Sequence, residues 1–75
     1  MEYDLDKIDD SVLALLVLTL HDFNRAWKQF DWEVLDRLYV KGLIEDPKNK
    51  NKSIVFTEAG LNKSKRLFDD FFEKQ

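Results

Sequence analysis

The stretch from Gly42 to Leu61, GLIEDPKNKNKSIVFTEAGL, limits the fold of this chain more than any other. Gly42 follows an apolar-periodic segment, where a left-handed residue closes a helix at little cost only if it is glycine. Leu43 to Asp46 and Ser53 to Phe56 are each long enough for a short strand. In the second, Ile54 and Phe56 point one way and Val55 the other, the period of two of a pleated strand. Pro47, Asn49 and Asn51 are turn formers, so Pro47 to Lys52 reads as a hairpin loop. Lys48, Lys50 and Lys52 alternate with the asparagines and must be solvated. Thr57 then caps a last helix, with Glu58 in a first turn that favours negative charge. Helix end, strand, polar turn, strand and capped helix start, in that order, make a small α+β domain.

The rest of the chain supplies the other helices. Asp4 or Asp10 marks the start of the first, which runs through Val12 to Leu20. At 100° per residue that run is apolar around the whole circumference. Either it is the central helix of the core or a second copy of the chain covers part of it. Phe23, Ala26, Trp27 and Phe30 fall at i, i+3, i+4 and i+7, which predicts a short second helix over His21 to Phe30. Asp31 is then the N-cap of a third, Trp32 to Lys41, with Leu35 and Leu38 facing inward. On the last helix Leu61, Ser64, Phe68, Phe71 and Phe72 form an inward stripe that Leu67 widens. That is more apolar surface than a terminal helix needs, so its outer end is expected to pack on another chain or on the first helix. Leu16, Leu20, Leu67, Phe68, Phe71 and Phe72 are the candidate self-association residues.

Composition narrows the function classes. The 75 residues make one domain, 1–75, small enough that its own core is marginal. A net charge of -3 gives no overall pull toward nucleic acid or an anionic membrane. Without cysteine there is no disulfide, thiolate metal site or cysteine nucleophile, which suits a reducing cytoplasm. The N-terminus MEYDLDKIDD is acidic where a secretory signal would be basic, and the apolar run to Leu20 is too short to span a bilayer. A cytoplasmic protein is the expectation.

Catalysis is not expected. His21 and Asp22 could exchange a proton, but no nucleophile, phosphate loop or second set of metal ligands accompanies them. Asp22 is expected to cap the second helix or pair with Arg25. The acidic decad (Glu2, Asp4, Asp6, Asp9, Asp10) lacks the central glycine and distal glutamate of a calcium loop and reads as a solvated helix start. No cofactor, metal or small-molecule substrate is therefore expected. Arg25, Trp27, Lys28 and Trp32, in RAWKQFDW, are the candidate partner surface, with Trp27 expected mostly buried and Trp32 partly exposed. A nucleic-acid alternative would place Arg37, Lys41, Lys48, Lys50 and Lys52 on phosphates.

Two resemblances bear on these residues. Leu38-x-x-x-Gly42-Leu43-Ile44, a polar hairpin and Phe56-Thr57-Glu58-x-Gly60 resemble the winged-helix superfamily over about the C-terminal half. The resemblance implies three helices, a two-stranded β-wing and a C-terminal helix, in a fold that binds nucleic acid or protein partners. The chain also resembles a family of short bacterial proteins with a domain of unknown function. That likeness is carried by Leu18-Thr19-Leu20-His21-Asp22, Arg25-Ala26-Trp27-Lys28, Phe30-Asp31-Trp32, Arg37-Leu38, Lys41-Gly42-Leu43-Ile44, Asp46-Pro47, Lys50, Lys52-Ser53 and Thr57-Glu58-x-Gly60. It implies a bacterial source and no assigned ligand. Against DNA, Asp31, Glu33 and Asp36 leave residues 31–41 one net negative charge, and carboxylates on a groove-entering helix repel phosphates. The expectation is a non-catalytic binding module whose partner is a second copy (a homodimer) or another protein, with DNA as the alternative.

Overall fold

A computed structural model describes residues 2–74. The first helix, α1 (Leu5–Leu15), is capped by Asp4, whose carboxylate accepts the Lys7 N–H at 3.0 Å. It then tightens into a 3-10 turn, Leu16–Thr19. The apolar run is thus split between two helical geometries. Leu13, Ala14 and Leu16 are buried, Val12, Leu15 and Val17 are half-buried, and Leu18 is turned outward. Next come β1 (Arg25–Trp27), α2 (Trp32–Val40), β2 (Ser53–Val55) and α3 (Glu58–Phe72). The architecture is α+β, with three α-helices and a two-stranded antiparallel sheet among the described residues.

The helix expected over His21 to Phe30 does not form. Asp22 (φ 48°) and Phe23 (φ 74°) are both left-handed, a conformation a right-handed helix cannot pass through. They reverse the chain so that His21 and Arg25 exchange backbone hydrogen bonds of 2.8 and 2.9 Å. Beyond the reversal the chain is extended: Ala26 is buried, while Trp27 faces out and Phe23 is 83% exposed. The helical spacing of those aromatic residues was a coincidence of a short segment. With no helix there, Asp22 caps none, and it forms no ion pair with Arg25, whose Nη1 donates to Ser53 Oγ at 3.5 Å.

Strand pairing also differs from expectation. The ladder of β2 runs with β1, in the register Arg25↔Val55, Ala26↔Ile54 and Trp27↔Ser53. Leu43 to Asp46 lies on the other edge of β2 and contributes one bridge, Ile44↔Phe56. Two hydrogen bonds support that bridge: Glu45 N–H donates to Val55 O at 2.8 Å and Thr57 N–H to Leu43 O at 3.1 Å. Pro47 to Lys52 spans the gap as the expected loop. A one-sided hairpin was legible in the sequence, but the β1 edge was hidden by the mistaken helix.

Local capping fixes the remaining junctions. Gly42 (φ 76°) follows α2, its N–H donating to Tyr39 O at 2.9 Å, while Leu43 N–H donates to Leu38 O at 3.0 Å. These are the two bonds of a Schellman closure, and Leu38 and Leu43 both enter the core. Asp31 precedes α2 without a side-chain cap bond. Thr57 Oγ1 accepts the Gly60 N–H at 3.0 Å and so starts α3. Gly60 lies against the Leu43 carbonyl, where a Cβ would overlap it. Around Phe56, Leu13, Leu16, Leu35, Leu38 and Ile54 close one core, onto which Leu61 of α3 packs. Among the described residues no helix is long and apolar enough to cross a membrane.

Candidate functional site

Alternation along β1 determines what reaches the surface. Ala26 packs inward opposite Ile54, which leaves Trp27 outside and 48% exposed, against the expectation that it would be mostly buried. The His21 ring stacks on the Trp27 indole, with centroids 4.3 Å apart and planes at 28°. Its Nδ1 lies 2.8 Å from Thr19 O, a carbonyl that accepts from the tautomer with its proton on Nδ1. Trp32, in the first turn of α2, is 53% exposed, as expected of it. Between the two indoles a cleft of about 510 Å³ opens, lined from the core side by Phe30 and Leu35.

The loop supplies the other wall. Asp46 accepts the Lys48 N–H at 2.9 Å, and Asn49 Oδ1 accepts the Asn51 N–H at 2.9 Å, two side-chain turns that order the segment. Lys28 N–H donates to Lys52 O at 2.9 Å, while Lys28 Nζ donates to Asn49 O and Oδ1 at 3.0 and 2.9 Å. The same ammonium lies 5.7 Å from the Trp32 ring centre, within cation–π range. Lys28 thereby ties β1, the loop and α2 together. Lys28 and Lys52 line the cleft together with Asn49 and Asn51, and among the described residues no carboxylate does. Lys48, Lys50 and Lys52 are exposed and form no ion pair among the described residues. The partner-surface residues Trp27, Lys28 and Trp32 are thus brought together, and Arg25 lies beside them on β1.

Arg37 of α2 and Lys41 just after it face elsewhere. Asp9 of α1 is fully buried, and Arg37 grips it with Nε at 2.9 Å from both carboxylate oxygens and Nη2 at 2.7 Å from Oδ1. Lys41 Nζ joins at 2.8 Å from Asp9 Oδ2 and 2.9 Å from Asp6 Oδ1. Burial pushes the Asp9 carboxyl upward, but hydrogen bonds from Arg37 and Lys41 outweigh it and hold the group below the usual carboxylate range. The Asp9 hydrogen bond raises both cations in turn. Arg37 and Lys41 therefore fasten α2 to α1 rather than standing free for a phosphate. Asp9 is no part of a solvated helix start. The spacing of Arg37 and Lys41, one helical turn apart, was the signal that could have pointed to a shared buried carboxylate.

The self-association candidates divide by burial. Leu16 is sealed in the core, and Leu20 and Leu67 are half-buried against it. Phe68 is half-buried, whereas Phe71 and Phe72 are 42% and 49% exposed. Phe72 packs edge-on against Phe68 at 5.2 Å and against Phe71 at 6.0 Å between centroids.

Residues 4–74 match a family described as a domain of unknown function, DUF6429. The chain belongs to the DUF6429 family. It is similar to uncharacterized protein y4hR of Sinorhizobium fredii (strain NBRC 101917 / NGR234), with 58% identity over 74 residues, covering 99% of this chain and 100% of that protein. No solved structure matches. The DUF6429 match takes in all the elements described above, from the Asp4 cap to the phenylalanines of α3.

Proposed function

We propose that this DUF6429 chain is a winged-helix-type, non-catalytic protein-interaction module that associates with a second copy of itself in the cytoplasm. The exposed Phe71–Phe72 turn of α3 carries this reading. Two large aromatic side chains stand half in water beside Phe68 at the end of a helix whose first half is already anchored in the core. A two-fold contact would set the same patch against itself. Covering each ring would recover about 1 kcal/mol, roughly half the value of a fully buried phenylalanine. A domain this small gains most from such a contact.

The winged-helix part draws support from the placement of its motifs, although a strand, β1, stands where a second helix was expected. Leu38 to Ile44 falls at the closure of α2, and Phe56 to Gly60 at the junction of strand and α3, as the resemblance requires. Duplex DNA finds less support. It would have to rely on Lys48, Lys50 and Lys52, because Arg37 and Lys41 are held by Asp9. Light scattering on the purified chain tests the self-association. The wild type should fall from dimer to monomer on dilution. Phe71→Asp should be a folded monomer at every concentration, because the introduced carboxylate stays hydrated unless the dimer forms. A wild type that is monomeric throughout, or a Phe71→Asp dimer as tight as the wild type, would overturn it.

A further inference from the structure

The tryptophan cleft is a second surface, separate from the α3 phenylalanines, and its chemistry is mixed. His21 stacks on one face of Trp27 and the Lys28 ammonium lies over one face of Trp32, yet both indoles stay half-exposed. Among the described residues lysines rather than carboxylates share the lining, in a chain of net charge -3. Exposed Lys48 and Lys50 extend that positive edge along the loop, beyond Lys52. A ligand that satisfies both features is anionic and carries planar rings. We infer that the cleft binds a short single strand of nucleic acid, its bases against Trp27 and Trp32 and its phosphates along Lys48, Lys50 and Lys52.

Charge sets the path of the strand. Asp31 and Glu33 flank Trp32 in sequence and keep phosphates off that side. Asp46, whose carboxylate accepts the Lys48 N–H, is outnumbered on the loop by Lys48, Lys50 and Lys52. A single strand fits better than a duplex, because paired bases hide the faces that stack on aromatic rings. An acidic peptide would use the lysines and leave the indoles idle. A proline-rich peptide would use the indoles and leave the lysines idle.

Tryptophan fluorescence of the full chain, titrated with single-stranded oligothymidylate, tests the inference. A duplex of equal length, polyglutamate and a proline-rich peptide serve as competitors. The single strand should quench the signal and bind more tightly than all three. Trp32→Ala should weaken it by roughly five- to 150-fold, the range for one base–aromatic stack. Trp27→Phe, which keeps an aromatic face, should change affinity only slightly. Replacing Lys48, Lys50 and Lys52 with alanine on the exposed loop should lower the salt slope by about 2, at roughly 0.7 per phosphate. No quenching by the single strand at low salt would overturn the inference, as would equal or tighter binding of any competitor. So would a lysine variant with the wild-type salt slope.

Discussion

Asp9 has no exposed surface, and four hydrogen bonds from Arg37 and Lys41 keep it charged there. Removing the carboxylate charge while keeping its shape isolates that contribution. Asp9→Asn should cost about 3 kcal/mol in chemical denaturation, at the low end for breaking a buried ion pair because both cations still reach water. The pH dependence has a definite sign. A carboxyl held below its unfolded value adds stability above about pH 4, and that stability is lost as pH falls through the lowered folded value. The wild type should therefore lose stability in acid more steeply than Asp9→Asn, and equal acid slopes would contradict the assignment. Lys41, raised above its unfolded value, contributes below that value and loses its contribution as pH rises through the higher folded one. Gly60→Ala should unfold the chain or shift its melting transition sharply downward, because the new Cβ meets the Leu43 backbone rather than a movable side chain. A near-native melting curve for that variant would show that the α3–Leu43 approach is looser than described. For the first helix the sequence left Asp4 and Asp10 open, and the structure selects Asp4. Gly42 and Thr57 were readable from sequence because their roles are local: a left-handed φ or an N–H three residues away. Asp9 was not, since its partner lies 28 residues along the chain.

At the scale of elements the same divide explains β1. Its pairing with β2 sets Ala26 opposite Ile54, a distant contact that no window around Ala26 contains. The turn at Asp22 and Phe23 was equally hidden, because aspartate favours a positive φ far less than glycine does and phenylalanine not at all. Residues 23, 26, 27 and 30 then matched a helical period by chance over too few turns to be decisive. The loop from Pro47 to Lys52 was legible because its asparagines and proline act on their own backbone. That the loop is moored to β1 by Lys28 was not. Helix α3 depends on its cap: Thr57 Oγ1 also donates to Gly42 O at 2.7 Å, so one hydroxyl joins the two glycine-bearing helix ends. Thr57→Ala should cost about 1–2 kcal/mol by denaturant titration, toward the upper range for an N-cap because both bonds go. Thr57→Ser should recover most of it, and a serine variant as weak as alanine would mean that the methyl group, not the hydroxyl, matters.

For the whole molecule, two unlike surfaces among the described residues carry the proposals. One is the aromatic end of α3, and the other is the cleft where β1, α2 and the loop bring indoles and lysines together. They involve different residues, so changes to Phe71 should leave the cleft intact and changes to Trp32 should leave self-association intact. Sequence pattern pointed to both sets, through the surplus of phenylalanine in α3 and the density of aromatic and cationic residues in RAWKQFDW. It did not say which members face out. Leu16 and Trp27 exchanged roles relative to expectation, because burial was settled by the 3-10 turn after α1 and by the strand at Arg25–Trp27. Self-association is proposed to bring the last turns of α3 against a second copy of the chain. Backbone amide shifts followed by NMR across a dilution series test it most directly. Concentration-dependent shifts should gather around Phe68, Phe71 and Phe72, with the loop lysines and both tryptophans unmoved. Shifts that ignore concentration, or that move elsewhere while α3 stays still, would contradict it.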